Sequence, residues 1–297
     1  ADALEDSWPG APDEIAARFS TLVAAMDGSE DAARALAEDA RPRAGDREDL
    51  LLVSNLPRVW RVFRALPGAS PAVLAETVKT MAAGMSRFAS RASARGPEAS
   101  YIESEAELHD YCFCVAGCVG VMLTRLAAER MPASAEVQAR RLELAPIVGE
   151  ALQLTNILLD WPRDARRGRC HVPADWLRER GLTPRTIVGE PRPGIAELQA
   201  RLEALALRAL RTVPDYVALF PARFARYRLF SLWPALWAAA SLRHARRDPE
   251  FPWGPRRPRL PRSELWRLAL ASLLLGHSER GVSGAYARVM QPLLATE

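Results

Sequence analysis

Four side chains between Glu150 and Asp164 have the types and the spacing to do chemistry. Gln153, Asn156, Asp160 and Asp164 recur at intervals of three, four and four, which on a helix places them in one narrow stripe. The residues among them, Leu154, Ile157, Leu158 and Leu159, are apolar enough to bury that helix. Two carboxylates and two amides on an apolar wall lose hydration unless something replaces it. A divalent cation shared with a phosphorylated ligand would do so. An aspartate pair four residues apart is weak evidence alone, because most such pairs lie on solvated faces. The amides on the same stripe argue against a merely solvated face. A second acidic cluster, Asp2, Glu5 and Asp6, has the same helical spacing and offers an opposing wall.

These residues need long helices to hold them, and the chain supplies the signals. Helices are expected over Asp13 to Met26, Glu30 to Ala40 and Leu50 to Leu66, the last with a kink or break at Pro57. Ser70-Pro71 reads as a cap followed by a first-turn proline, opening a helix to about Ala94. Ser104-Glu-Ala-Glu107 is a capping box that launches Leu108 to Arg130. Further helices are expected over Ala135 to Asp164, Asp175 to Arg180, Ile195 to Leu219, Phe220 to Arg247, Ser263 to Leu275 and Val282 to Leu294. No stretch alternates with period two, so the fold class is all-α, a bundle-like or orthogonal helical core.

The 297 residues suit one large domain, and no composition shift forces a split. A hydrophobic share of 49% and a charged share of 26% are ordinary for a globular chain, which excludes disordered and collagen-like classes. The net charge of +4 rests on arginines, with Lys79 the single lysine. They read as scattered rather than clustered with exposed aromatics, so no nucleic-acid partner is expected. Cys112, Cys114, Cys118 and Cys170 have neither a disulfide framework nor zinc-site spacing and read as reduced, buried thiols. The start carries no secretory leader, and the apolar run Leu229 to Leu242 is shorter than a bilayer span of roughly 20 residues. The expected location is cytoplasmic, with peripheral membrane contact open because apolar substrates would come from there.

Several segments together resemble the squalene/phytoene synthase family. They are Asp2-Ala-Leu-Glu-Asp6, Met81-Ala-Ala-Gly-Met85, Tyr111-Cys-Phe-Cys-Val-Ala-Gly-Cys-Val-Gly120, Leu152-Gln-Leu-Thr-Asn-Ile-Leu-Leu-Asp160, Arg166-Arg-Gly-Arg169 and Phe230-Ser-Leu-Trp-Pro234. They occur in the family's order over nearly all of the chain. The resemblance implies an isoprenoid-synthase-type helical bundle around a central cavity and head-to-head joining of two prenyl diphosphates. It implies magnesium and diphosphate binding at Asp2, Glu5, Asp6, Asp160 and Asp164, with Gln153 and Asn156 as polar positions beside the second motif. Tyr111 matches an active-site tyrosine, Arg169 a diphosphate-side arginine, and Phe230 a pocket aromatic. Gly117 and Gly120 would let helices or substrate approach closely. His109, His171, His244 and His277 form no ligand spacing. The favoured reaction is condensation of two farnesyl diphosphates to squalene or a related thirty-carbon product through presqualene diphosphate. Phytoene synthesis from geranylgeranyl diphosphate is the alternative. NADPH use is left open, as is the choice between monomer and homodimer.

The chain departs from the family pattern in three places. Arg163 stands where the second aspartate motif carries a glutamate, Leu159 where many members carry an arginine, and Pro162 removes a backbone donor near the helix end. An upstream helix with basic and serine residues is expected to be missing from this chain. A non-catalytic member that binds a prenyl diphosphate or a partner protein therefore stands as a further alternative.

Overall fold

The structure is a computed structural model and describes residues 3–4, 7–8, 10–45, 47–96, 99–275 and 278–294. The sequence suggests a single domain. The chain divides into two compact units, Ala1–Pro97 and Glu98–Glu297.

The first unit contains α1 (Pro12–Met26), α2 (Glu30–Ala44), α3 (Glu48–Ser54), α4 (Leu56–Arg64) and α5 (Ser70–Arg95). Ser29 caps α2 by accepting from the Ala32 amide at 3.1 Å. That helix continues through Pro42 to Ala44, beyond the expected end at Ala40. Phe19, Leu22, Leu36, Leu50, Trp60 and Phe88 are buried in this unit's core. The helix expected over Leu50 to Leu66 is broken at Asn55, with Pro57 in the first turn of α4. Pro57 has no N–H for an intrahelical bond, and the first turn is where none is needed. Ser70 is the first residue of α5 rather than its cap; Ala69 precedes the helix and no side chain closes it.

The second unit carries the polar stripe. It runs α6 (Glu105–Cys112), a π-helical turn (Phe113–Gly117), α7 (Cys118–Arg130), α8 (Ala135–Arg166), α9 (Ala174–Glu179), α10 (Ile195–Leu210), α11 (Val213–Ala218), a 3₁₀ turn (Ala222–Phe224), α12 (Ala225–Ala245), α13 (Arg262–Leu275) and α14 (Glu279–Leu294). Among the described residues there is no strand, only an isolated bridge between Ser100 and Cys170. The all-α expectation holds.

The central element is α8, 32 residues long, against which α7, α10 and α12 pack. Ser134 opens it, accepting from the Val137 amide at 3.3 Å. Leu144, Leu154 and Leu158 of α8 are buried, as are Leu198, Leu202 and Leu205 of α10. Each such leucine contributes about 1.5–3 kcal/mol. Arg141 is fully buried yet satisfied: it donates to Met131 O at 2.9 Å and Leu219 O at 2.8 Å. It thereby joins the ends of α7 and α11 to the start of α8, using carbonyls those ends leave open. Pro162 lies inside the last turns of α8 and does not end it, since the helix runs on to Arg166.

Two other expected helices are subdivided. The segment Ile195 to Leu219 breaks where Pro214 enters the first turn of α11, and Phe220 to Arg247 begins only at Ala225 after the 3₁₀ turn. Ser104 caps α6 as expected, but Glu107 accepts from the Glu103 amide, one residue upstream of the cap. By length and mean hydropathy, Glu105–Arg130 and Ala135–Arg166 are long and apolar enough to cross a bilayer, which the run-based reading missed. An averaged window tolerates isolated polar residues that interrupt a run. The second of these is the core helix of its unit, more than half buried over that window.

Candidate functional site

One face of α8 is apolar at its lower end and polar at its upper end. On a helix of 3.6 residues per turn, Ala145, Gly149, Leu152, Gln153, Asn156, Asp160 and Asp164 fall within an arc of about 120°. Ala145, Gly149 and Leu152 line a cavity of about 210 Å³ together with Val115, Ala116, Val119 and Leu123 across from them. Tyr216, Phe230, Ser231 and Pro234 complete its wall. From Leu152 to Asp160 the helix climbs about 12 Å, so the polar stripe stands above an apolar chamber in the same unit.

The chamber depends on close backbone approach. A Cβ added to Gly149 would come within 2.9 Å of the Gly117 Cα, and one added to Gly120 within 2.9 Å of the Ala145 carbonyl carbon. These glycines set α8 directly against the π turn and α7, as the sequence suggested for Gly117 and Gly120. The π turn inserts an extra residue between Tyr111 and the cavity-lining side chains that follow it, a device common at functional sites. The Tyr216 hydroxyl is paired with Thr124 Oγ1 at 2.8 Å and Tyr227 at 3.2 Å. The polar end of that aromatic wall is thereby satisfied within the protein. Phe230 lines the chamber and is 52% exposed.

The Tyr111 ring packs against His171, tilted by 32° at 5.1 Å between ring centroids, and His171 in turn lies 5.3 Å from Tyr101. His109 bonds Glu150 of α8 through Nδ1, fixing α6 beside the stripe. His171 follows Arg169 in the segment that leaves α8, and that segment is pinned by Ser100, whose hydroxyl donates to Val172 O at 2.6 Å. Asp164, Arg169 and His171 line one small niche. The Arg169 amide donates to the Asp164 carbonyl at 2.8 Å. Tyr111 and Arg169 are thus brought to the same end of α8 through His171.

Asp160 is 8% exposed, and its carboxylate is flanked by two guanidinium groups. Arg257 Nη1 lies 3.1 Å from Oδ2, and Arg163 Nη2 lies 3.2 Å from Oδ1. Oδ1 is buried without a hydrogen bond of good geometry, so the Arg163 contact is an ion pair only. Burial pushes the Asp160 pKa up, against the pull of Arg257 and Arg163. Asp164, half-buried, accepts from Arg163 Nε at 3.2 Å. Gln153 is half-buried and Asn156 exposed on the same face. Asp2, Glu5 and Asp6 lie outside the described residues.

The sequence reading took the arginines as scattered, and the structure corrects this. Arg256, Arg257, Arg259 and Arg262 join Arg163 around an open groove of about 830 Å³, with Leu159, Ser241 and Leu265 on its walls. The signal was present in Arg256-Arg257-Pro-Arg259, but a charge average over the whole chain conceals it. Arg257 is the functional candidate that sequence reasoning missed.

The two carboxylates are hard oxygen donors one helical turn apart, and Asp160 Oδ1 is a buried oxygen that faces the Arg163 guanidinium but accepts no hydrogen bond. That set fits magnesium, which takes one or two carboxylates and completes its shell with phosphate and water. Among the described residues no third metal-ligating side chain joins them. The four cysteines are free. Burial raises the Cys118 pKa to about 11 and the Cys170 pKa to about 12, so both are inert thiols.

Comparison with known proteins bears on the family and the fold. The profile of the family described as squalene/phytoene synthase matches residues 1–264. The chain is similar to the phytoene synthase of Thermus thermophilus, 42% identical over 108 residues, which are 36% of this chain and 34% of that one. It is also similar to the 15-cis-phytoene synthase of Enterobacter agglomerans, 37% identical over 125 residues, 41% of this chain and 37% of the relative. These matches span about a third of the length of those relatives. The solved structure of TcSQS with a bound ligand superposes over 96% of this chain and 84% of that one, with a TM-score of 0.71 and 21% identity. A dehydrosqualene synthase in complex with ligand covers 87% of this chain and 90% of its own, with a TM-score of 0.51 and 20% identity. The fold is therefore the all-α, isoprenoid-synthase type.

Proposed function

The chain belongs to the squalene/phytoene synthase family, and from that premise we propose that it joins two prenyl diphosphates head to head. The observation that carries this reading is the single face of α8, apolar where it lines a chamber and acidic above it. To reach a hydrocarbon both C–O bonds to diphosphate break, the two C1 carbons become joined, and each gives up one proton, which leaves a double bond between them. Asp160 and Asp164 would hold magnesium, which when bound neutralises charge on the departing diphosphate. Arg257 and Arg169 offer guanidinium groups to the same anion. The chamber formed by α7, α8 and α12 keeps water from a carbocation, and Phe230 presents an aromatic face to it. Tyr111, packed on His171, would offer its hydroxyl at the polar end.

The sequence reading favoured farnesyl diphosphate. The names of the similar enzymes favour phytoene synthesis from geranylgeranyl diphosphate instead. The test is incubation of the purified chain with magnesium and each diphosphate separately, with extraction of hydrocarbon and assay of released diphosphate. A forty-carbon hydrocarbon from geranylgeranyl diphosphate is expected; a thirty-carbon product from farnesyl diphosphate alone reverses the choice of substrate. The seating of Arg163 between both aspartates favours a second reading, in which the site binds a prenyl diphosphate without turning it over. Magnesium-dependent binding with no diphosphate release from either substrate would establish that alternative.

A further inference from the structure

Helix α13 shows solvent a face that its own unit does not cover. Trp266 is 69% exposed, and Leu270 and Leu273 are exposed with it. With Arg262 they fall within an arc of about 80° on the helix. The opposite side is fastened to α12: Glu264 bonds Arg243, and Ser272 accepts from Trp233 Nε1 at 2.6 Å. The apolar face is therefore held outward by polar bonds behind it. Beside it lies the arginine groove, where Arg256, Arg259 and Arg262 have no ion-pair partner among the described residues. Arg267 adds a fifth guanidinium on this segment, and Glu264 is the acid that offsets it.

We propose that the Trp266, Leu270 and Leu273 face of α13, with Arg256, Arg259 and Arg262, docks the protein on an anionic lipid bilayer. A tryptophan and leucines on one side of a helix with arginines at their border are the composition of an interfacial helix, the apolar side chains entering the acyl boundary and the arginines meeting lipid phosphates. Charge decides among occupants. A second copy meeting this face across a two-fold axis would set arginine cluster against arginine cluster. A nucleic acid would satisfy the arginines but gives the two leucines nothing to enter. An anionic membrane satisfies both halves. The inference goes beyond the catalytic reading and does not depend on it, because lipid binding requires no turnover.

The test is co-sedimentation of the full chain with vesicles of phosphatidylcholine, with and without about one-third phosphatidylglycerol, at low and high salt. Binding to the anionic vesicles at least tenfold above the neutral ones, and weakened by salt, is expected. Trp266→Ser combined with Leu270→Ser should lower that binding at least tenfold at an unchanged melting midpoint, since both side chains are exposed. Arg259→Glu with Arg262→Glu should remove the preference for anionic lipid. The proposal is overturned by absence of binding to anionic vesicles, or by apolar variants that bind as the parent does. It is also overturned if the parent is a dimer that Trp266→Ser dissociates. Loss of binding in Leu52→Ser with Val62→Ser, exposed residues of the other unit, together with full binding by the α13 variants, would place docking elsewhere.

Discussion

Arg163 lies 3.2 Å from Asp160 and, through Nε, 3.2 Å from Asp164, so one guanidinium spans both acidic members of the stripe. The side chain is half exposed, and its pairs are worth about 0–1 kcal/mol in stability. Its effect is on charge at the site. Under the proposed function it would supply a fixed cation where the resemblance implies a third carboxylate, so that less metal charge would be needed to hold a diphosphate. Arg163→Glu should tighten magnesium binding by about tenfold in a calorimetric titration and lower turnover, because a contact to the leaving group is replaced by an anion. A variant faster than the parent at every magnesium concentration would show that Arg163 marks decay of the site.

Asp160 carries a pH signature of opposite sign to an ordinary paired carboxylate. Burial, the largest influence, raises its pKa despite Arg257 and Arg163. A carboxyl raised above its unfolded value of about 3.9 stabilises the fold below that pH and loses the contribution as pH rises through the raised value. At neutral pH the ionised form therefore costs stability. Asp160→Asn in metal-free buffer should raise the melting midpoint at pH 7 by about 1–4 °C, with the difference vanishing below about pH 4. Turnover should be lost in the same variant. A lower midpoint at pH 7 would mean that the two ion pairs outweigh the burial.

What was legible in the sequence follows from local rules. Spacing alone placed Gln153, Asn156, Asp160 and Asp164 on one face, because helix periodicity is intrinsic to the backbone. The Ser104 cap and the break near Pro57 could be read, or located to within a few residues, from capping and proline chemistry. What failed to show depends on contacts distant in sequence. The approach of Arg257 to Asp160 joins residues 97 positions apart, with α9 to α12 between them, and no local pattern announces it. The π turn after Tyr111 is invisible for a similar reason, since its sequence is ordinary helix and only packing against α8 selects the extra residue.

Gly149 tests the helix crossing that makes the chamber. Ala116 and Gly117 backbone atoms stand where a methyl group would go, and backbone cannot swing aside as a flexible side chain does. Gly149→Ala should destabilise the protein by about 1–3 kcal/mol in urea unfolding, as overpacking does. Gly120→Ala, which meets Ala145 at the same crossing, should give a similar loss. The double variant should lose less than the two single losses added together, because the first displacement opens room for the second methyl group. Strict additivity would indicate that the two contacts yield independently.

Tyr111 separates chemistry from packing. Its ring packs against His171, which also meets Tyr101, so these ring contacts survive removal of a hydroxyl. Tyr111→Phe should therefore change the unfolding free energy by less than about 0.5 kcal/mol, while turnover falls at least tenfold if the hydroxyl works at the polar end of the chamber. If the hydroxyl serves instead to satisfy a buried partner, stability should drop by about 1–3 kcal/mol with turnover per folded molecule retained. His171→Phe supplies the control. It keeps an aromatic ring in contact with the two tyrosines but removes the imidazole, so a stability loss shared by both variants points to the ring contacts. A turnover loss confined to Tyr111→Phe points to the hydroxyl. Measuring melting midpoint and single-turnover rate on all three proteins decides the matter, and full activity in Tyr111→Phe would remove this residue from the reaction.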